Sequence, residues 1–191
     1  MNKIIGILGM QGAIAEHQEI LVQIPHTKIR IVKTAKDLDC IDGLILPGGE
    51  STAIGKLLDY FSLKEILRQK IISGLPVFGT CAGLILLAKN IENQTNTHLA
   101  TMDITVKRNG YGSQLDSFST NLLIPTIDKN MPIPLVFIRA PYITKTDKDV
   151  QILATLDNKI IEKQKKNMLV SSFHPELTCD LRFHQYFLSM I

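Results

Sequence analysis

Several classes of protein are set aside by what this sequence lacks. It has only three cysteines, Cys40, Cys81 and Cys179, in 191 residues. Their odd number and irregular spacing suggest neither a disulfide framework nor a zinc ribbon, and a reducing, cytoplasmic setting is expected. No apolar run approaches the roughly 18 residues needed to cross a bilayer, so no membrane association is expected. The start, Met1-Asn2-Lys3 followed by Ile4-Ile5-Gly6-Ile7-Leu8, is too short for a signal-peptide core and has no small-residue cleavage site. Excess charge is also scarce. The net charge is +3, and the densest basic run, Lys163-Gln164-Lys165-Lys166, has no interleaved aromatics. It is expected to be a solvated hairpin rather than a nucleic-acid site. Gly6, Gly9 and Gly12 miss the Gly-x-Gly-x-x-Gly spacing of a dinucleotide turn, and no ribose-binding acid follows, because the next strand ends in Arg30-Ile31-Val32-Lys33.

What is present is a chain long enough to bury about 70% of its unfolded surface around one core. Linkers, repeats and low-complexity tracts are missing, so residues 1–191 are expected to form one α/β domain. Through the first half, short β-rich runs alternate with amphipathic ones, the pattern of βα units around a parallel sheet. Strands are expected near 3–8, 28–33, 43–46 and 75–78, and helices near 13–24, 52–61, 63–73 and 82–91. From His98 to Val170 the β-branched runs crowd together, near 102–107, 117–124, 135–138, 150–156, 159–162 and 168–172. Asp157-Asn158 between two of these predicts a hairpin, so part of this half should be antiparallel. A helix near 181–190 follows.

Gly79-Thr80-Cys81-Ala82-Gly83 carries the strongest chemical signal. It follows the apolar run Leu75-Pro76-Val77-Phe78 and precedes Leu84-Ile85-Leu86-Leu87-Ala88. Small residues around a thiol at a strand-to-helix turn have the spacing of a nucleophile elbow, and unpaired amides at a helix start favour a thiolate. Such a thiol needs a base. His174 lies in Ser172-Phe173-His174-Pro175-Glu176, and the residue before a proline is pushed towards extended backbone. In an extended segment, positions two apart share a side, so Glu176 can orient the His174 imidazole towards the nucleophile. The remaining histidines, His17, His26, His98 and His184, are expected at the surface or in packing, and Cys40 and Cys179 as buried or half-buried thiols. Leu44-Ile45-Leu46-Pro47-Gly48-Gly49-Glu50-Ser51 runs from a strand through a Gly-Gly turn into a helix, with Ser51 as a potential N-cap. Paired glycines let amides converge on one point, and the Gly49 and Ala82 amides are a natural oxyanion hole for acyl transfer. A phosphate loop is disfavoured, since no Gly-Lys-Ser/Thr follows.

Six motifs, Gly9-Met10-Gln11-Gly12-Ala13, Leu46-Pro47-Gly48-Gly49-Glu50-Ser51-Thr52, Phe78-Gly79-Thr80-Cys81-Ala82-Gly83-Leu84, Arg108-Asn109-Gly110-Tyr111-Gly112, Phe137-Ile138-Arg139-Ala140-Pro141 and Ser172-Phe173-His174-Pro175-Glu176-Leu177-Thr178, occur in this order. Together they resemble the glutaminase subunits of pyridoxal 5′-phosphate synthase, class I glutamine amidotransferases of the triad type. That resemblance implies a flavodoxin-like fold, an open, mostly parallel sheet flanked by helices with some antiparallel strands in the second half. It implies Cys81 as nucleophile, His174 as proton carrier and Glu176 as its orienting acid. Glutamine contacts fall on Gly48, Gly49, Glu50, Arg108, Ile138 and Arg139. Neither a metal nor a cofactor is implied, and pyridoxal phosphate is not carried by this chain. The implied partner is a separate synthase subunit that receives the ammonia, with the Gln11 face turned towards it, and docking is expected to complete the oxyanion hole. Gly110 stands where the family more often has serine or alanine, and Tyr142 where histidine is common.

Besides a more distant reading, a thiol hydrolase or stress protein of related α/β fold in which a glutamine-specific arginine site would be unexpected, two others compete. One is the glutaminase of a different synthase, such as that of histidine biosynthesis, which shares the triad but not the Gln11 and Arg139 motifs. The other is a catalytically silent binding or scaffold subunit, against which stands the presence of Cys81, His174 and Glu176 together.

Overall fold

A computed structural model describes residues 2–110 and 117–191. Its centre is a run of parallel strands: β1 (Lys3–Leu8), β2 (Thr27–Val32), β3 (Gly43–Leu46), β4 (Val77–Thr80) and β12 (Met168–Ser171), lying side by side in the order β2-β1-β3-β4-β12. Their apolar residues alternate between the two faces of the sheet, as the two-residue period of a strand requires. Leu44 and Leu46, Val77, and Met168 and Val170 join one core cluster, while Ile45, Phe78 and Leu169 join the other. Helices α2 (Ser51–Tyr60), α3 (Lys64–Ile72) and α4 (Ala82–Leu87) cover the first face through Ile54, Leu58, Leu67, Ile71 and Leu84. The second face is covered by α1 (Ile14–Leu21) and α5 (Arg182–Ser189), through Ile20, Leu21, Phe183 and Phe187.

Beyond β12 the sheet turns antiparallel, through β11 (Lys159–Lys165) and β9 (Tyr142–Thr146) to β6 (Met102–Lys107), and ends on β5 (Ala88–Ile91). Strand β10 (Gln151–Leu156) pairs antiparallel with β11 across Asp157-Asn158, both at positive φ (48° and 61°), so the expected hairpin is present. A separate two-stranded sheet joins β7 (Phe118–Leu122) to β8 (Ile133–Phe137). The mostly parallel, helix-flanked sheet with an antiparallel second half is the expected fold.

Four expectations need correction. The helix expected over 82–91 stops at Leu87, and Ala88–Ile91 forms β5, parallel to β6. Free hydrogen-bonding positions on the β6 edge outweigh the helix propensity of this apolar run. Strand β9 is not among the expected strands: its Tyr-Ile-Thr-Lys-Thr run is short, and pairing with β6 and β11 makes it a strand. The basic run does reach a hairpin, with Lys166 at φ 49° between β11 and β12, but Lys163 is fully buried. Cys40 and Cys179 are exposed thiols.

Candidate active site

Three adjacent parallel strands end at one place, and each carries a piece of the site. In an open α/β sheet, ligands gather beyond the carboxyl ends of the strands. Leu46 of β3 lies beside Gly79 of β4, and Thr80 of β4 beside Ser171 of β12. The residues that follow, Gly48-Gly49, Cys81 and His174, are therefore delivered side by side.

Cys81 sits at φ 47°, ψ −95°, a conformation that L-residues rarely adopt, and the Cys81 N–H is held by the Ser171 carbonyl at 2.8 Å. Such strain costs about 1–3 kcal/mol and persists only where the surroundings enforce it. Close packing enforces it here. A Cβ on Gly83 would lie 2.1 Å from the Leu46 carbonyl oxygen, and one on Gly79 2.7 Å from the Gly83 carbonyl carbon. Only glycines let strand and helix approach this closely on both sides of the thiol. The thiol is nearly buried, at 8% exposure. Ala82 is the first residue of α4, so its N–H has no acceptor within the helix.

His174 and Glu176 meet, though not along a strand. Pro175–Leu177 forms a 3-10 turn with His174 as its N-cap (φ −109°, ψ 86°). Proline's fixed φ suits the first position of such a turn, which explains the departure from the expected extended path. The turn places His174 Nδ1 2.7 Å from Glu176 Oε1. The His174 N–H donates to the Val136 carbonyl at 2.8 Å, tying this segment to β8. Burial disfavours the charged ring, yet the Cys81 thiol and the Glu176 carboxylate outweigh it and push the His174 pKa up to about 10. With Nδ1 bound to the carboxylate, Nε2 is the nitrogen left for the nucleophile.

The Gly-Gly turn is held from three sides. Gly48 N–H donates to Thr80 Oγ1 (3.0 Å), the Gly48 carbonyl accepts from Ala13 N–H (2.9 Å), and Glu50 N–H donates to Gln11 Oε1 (2.8 Å). The Gly49 N–H shares its trans peptide with that carbonyl and so points away from the start of α1. Glu50, not Ser51, caps α2, accepting from Thr52 N–H and Ala53 N–H through its two carboxylate oxygens. Burial opposes the Glu50 charge, but these amides and Arg108 outweigh it and hold the carboxyl below its usual range.

The nucleophile, its base and the Gly49-Glu50 end of the turn border one cleft of about 300 Å³, at the small end of ligand sites. Gly49, Glu50, Cys81, Arg108, Ile138, Arg139 and His174 line it, so the sequence-predicted residues converge, with Gly48 directly behind His174. The two arginines differ. Arg108 is already engaged, donating to Glu50 Oε1 (3.0 Å) and Thr52 Oγ1 (3.2 Å). Arg139, at φ 45°, also lines the cleft and has no partner among the described residues. Ser51, Ile85 and Asn109 also line the cleft and were not anticipated. The buried Ser51 hydroxyl has no hydrogen-bond partner among the described residues; nothing in its sequence context separates it from an ordinary helix-start serine. Tyr111-Gly112 of the fourth motif lies outside the described residues. Gly110 and Tyr142 are packed together: a Cβ on Gly110 would fall 2.0 Å from the Tyr142 ring, so the ring leaves room only for glycine. Among the described residues no group of acidic, histidine and cysteine side chains is arranged to hold a metal ion, and no helix is long and apolar enough to cross a membrane.

Comparison with known proteins identifies the family. The family described as the SNO glutamine amidotransferase family matches residues 7–191. A protein of Carboxydothermus hydrogenoformans named pyridoxal 5′-phosphate synthase subunit PdxT is 54% identical, covering 98% of this chain and 97% of its own length. One of the same name from Ruminiclostridium cellulolyticum is 52% identical over 99% of this chain and 100% of its own. A crystal structure described as a glutamine amidotransferase superposes with a TM-score of 0.90 at 37% identity, covering 97% of each chain. PurLQS from Thermotoga maritima, at 15% identity and a TM-score of 0.74, shares the fold. The chain belongs to the SNO glutamine amidotransferase family.

Proposed function

We propose that this chain is the glutaminase subunit of a pyridoxal 5′-phosphate synthase, hydrolysing L-glutamine to L-glutamate and passing the ammonia to a synthase subunit in a cytoplasmic complex. The observation that carries the chemistry is His174, bound through Nδ1 to buried Glu176 and paired with Cys81 on a strained elbow. The pathway rests on relatives more than 50% identical over nearly the whole chain. Exposed Cys40 and Cys179 suit a reducing compartment.

In this reading the Cys81 sulfur attacks the side-chain amide carbon of glutamine with its proton already resting on His174 Nε2, the form that the raised pKa of the ring favours. The tetrahedral oxyanion is met by the Gly49 and Ala82 amides, each such donor being worth about 3–4 kcal/mol in a transition state. His174 returns the proton to the nitrogen as the carbon–nitrogen bond breaks, and ammonia leaves with a thioester formed on Cys81. Water then adds to the thioester carbonyl, giving its proton to His174, and the sulfur departs as glutamate forms. Throughout, Glu176 fixes the ring and offsets its positive charge. The substrate is a zwitterion. Arg139, lacking a partner among the described residues, suits its α-carboxylate, and Glu50, held ionised, its ammonium.

Docking is taken to act on the Gly48-Gly49 turn, whose neighbours Gln11 and Ala13 sit on the face proposed to meet the synthase. A Gly48-Gly49 geometry identical in free and docked protein would remove that part of the reading. The test of the whole is glutamate release from glutamine with and without the synthase subunit, with Cys81→Ala alongside. Stimulation that Cys81→Ala abolishes is expected. Turnover indifferent to the synthase would remove the pathway, and no Cys81-dependent turnover would leave a silent subunit.

A further inference from the structure

Behind the triad lies a second buried pair that the chemistry above does not use. His17 of α1 and His184 of α5 are both fully buried, and His17 Nδ1 lies 2.9 Å from His184 Nε2. The other His17 nitrogen, Nε2, lies 3.3 Å from Thr80 Oγ1 and 3.7 Å from Glu176 Oε2. Thr80 Oγ1 is the atom that accepts the Gly48 N–H. One imidazole thus touches both halves of the site, the acid that orients His174 and the hydroxyl that anchors the oxyanion turn.

Burial, then the neighbouring His184 and His174, hold His17 well below the usual histidine range, and burial pushes His184 down to about 3. Both rings are therefore neutral, each with one N–H and one lone pair. His184 Nδ1 has no hydrogen-bond partner among the described residues. A buried N–H without an acceptor costs more than an idle lone pair, so the His184 proton belongs on Nε2, donating to His17 Nδ1. The His17 proton must then sit on Nε2, aimed at Thr80 and Glu176. The opposite tautomer would turn a lone pair towards the carboxylate. Glu176 Oε2 has no hydrogen bond among the described residues, so the His17 N–H dipole at 3.7 Å is its nearest recorded polar support.

We propose that His17 is a positioning residue for the glutaminase reaction, its Nε2–H holding Glu176 and Thr80 so that the base and the oxyanion turn keep one mutual geometry. It does so from α1, whose preceding residues Gln11 and Ala13 hold the same turn from the other side. The inference rests on Cys81, His174 and Glu176 being the catalytic groups.

Two substitutions separate this role from simple packing, because each keeps one half of the ring's bonding. His17→Gln can place an amide N–H where Nε2 stands but loses the link to His184. His17→Asn can keep the His184 link but cannot reach Thr80 or Glu176. A positioning role predicts that His17→Asn lowers kcat by about 10- to 100-fold, the scale on which a small misplacement of catalytic groups costs rate. The KM for glutamine should be unchanged, and His17→Gln should retain most of the activity although it breaks the buried pair and is the less stable protein. Equal kcat values for the two variants, or the reverse order, would overturn the proposal. Should neither fold, Thr80→Val decides: it keeps the volume and removes the hydroxyl, and an unchanged kcat would overturn the proposal equally. Cys81→Ala run alongside keeps the two readings apart, since turnover surviving that change would defeat the catalytic assignment itself.

Discussion

Gly48→Ala should disable the enzyme by moving the base rather than by touching substrate. A Cβ at this position would stand 2.4 Å from His174 Cε1 and 2.9 Å from Nδ1, where ordinary contact begins at 3.4 Å. The ring would have to retreat by about 1 Å, and misplacement on that scale can cost about 100-fold in rate. It has little room to do so smoothly. Its backbone N–H is fixed to Val136 and its Nδ1 to Glu176 at 2.7 Å, and Glu176 Oε1 is itself 3.5 Å from the new methyl. We therefore expect kcat for glutamate release to fall about 100-fold, equivalent to about 2.7 kcal/mol, with a stability loss of roughly 1–3 kcal/mol from overpacking. Gly74→Ala is the matched control. Gly74 has φ +112° and no neighbour within 4 Å of its would-be Cβ, so its alanine is strained by about 1–3 kcal/mol but remote from the site. Stopped assays across glutamine concentrations, with urea unfolding of each variant, give both quantities. Gly48→Ala with full kcat, or with a loss no larger than that of Gly74→Ala, would refute the clamped-ring argument.

The arginines should divide the binding. Arg139→Ala removes a guanidinium free to meet a carboxylate and should raise the glutamine KM about 10- to 100-fold, from the roughly 1.5–3 kcal/mol of a charged hydrogen bond. Arg108→Ala should raise it less, because Arg108 already serves Glu50, and equal increases would contradict the assignment. Glu162 is fully buried with neither carboxylate oxygen hydrogen-bonded among the described residues, and burial pushes its pKa well above the usual range. The folded state therefore holds a proton that the unfolded chain releases near pH 4.3, so this group lowers stability as pH rises above that value. Glu162→Gln should be the more stable protein at pH 7 and nearly equal near pH 4, as urea midpoints would reveal; a constant difference would count against it. Gly110→Ala should cost roughly 1–3 kcal/mol with Tyr142 present and less with Tyr142→His, a coupling of about 0.5–3 kcal/mol in a double-mutant cycle.

Much of the fold can be read in the residues because local and tertiary preferences coincide in the parallel half. Apolar strand residues alternate between faces, and helix positions such as Ile54, Leu58, Leu67 and Ile71 recur at turn spacing against one of those faces. The second half departs where partners decide. Ala88–Ile91 has a helical composition and becomes a strand because β6 offers it an edge. Lys163 belongs to a run that looks solvated and is buried, because there β11 lies between Ile152 of β10 and Val170 of β12 in the interior of the sheet.

The site is legible to a different depth. Cys81, His174, Glu176 and the glycine turn announce themselves because chemistry needs those types on tight backbone turns, and three neighbouring strands bring them together. His17 carries no such mark. It is one histidine on an amphipathic helix, and a sequence-only argument assigns it to packing. What sets it apart is a meeting of α1, α5, β4 and the Pro175 turn, segments far apart in the chain. No spacing rule could encode that meeting. Reactive groups are written locally because they need strained local backbone, whereas the groups that hold them are chosen by whatever the fold places behind them. If His17 holds Glu176 and Thr80 as proposed, the buried face of α1 is tied to the reaction even though none of its residues lines the cleft.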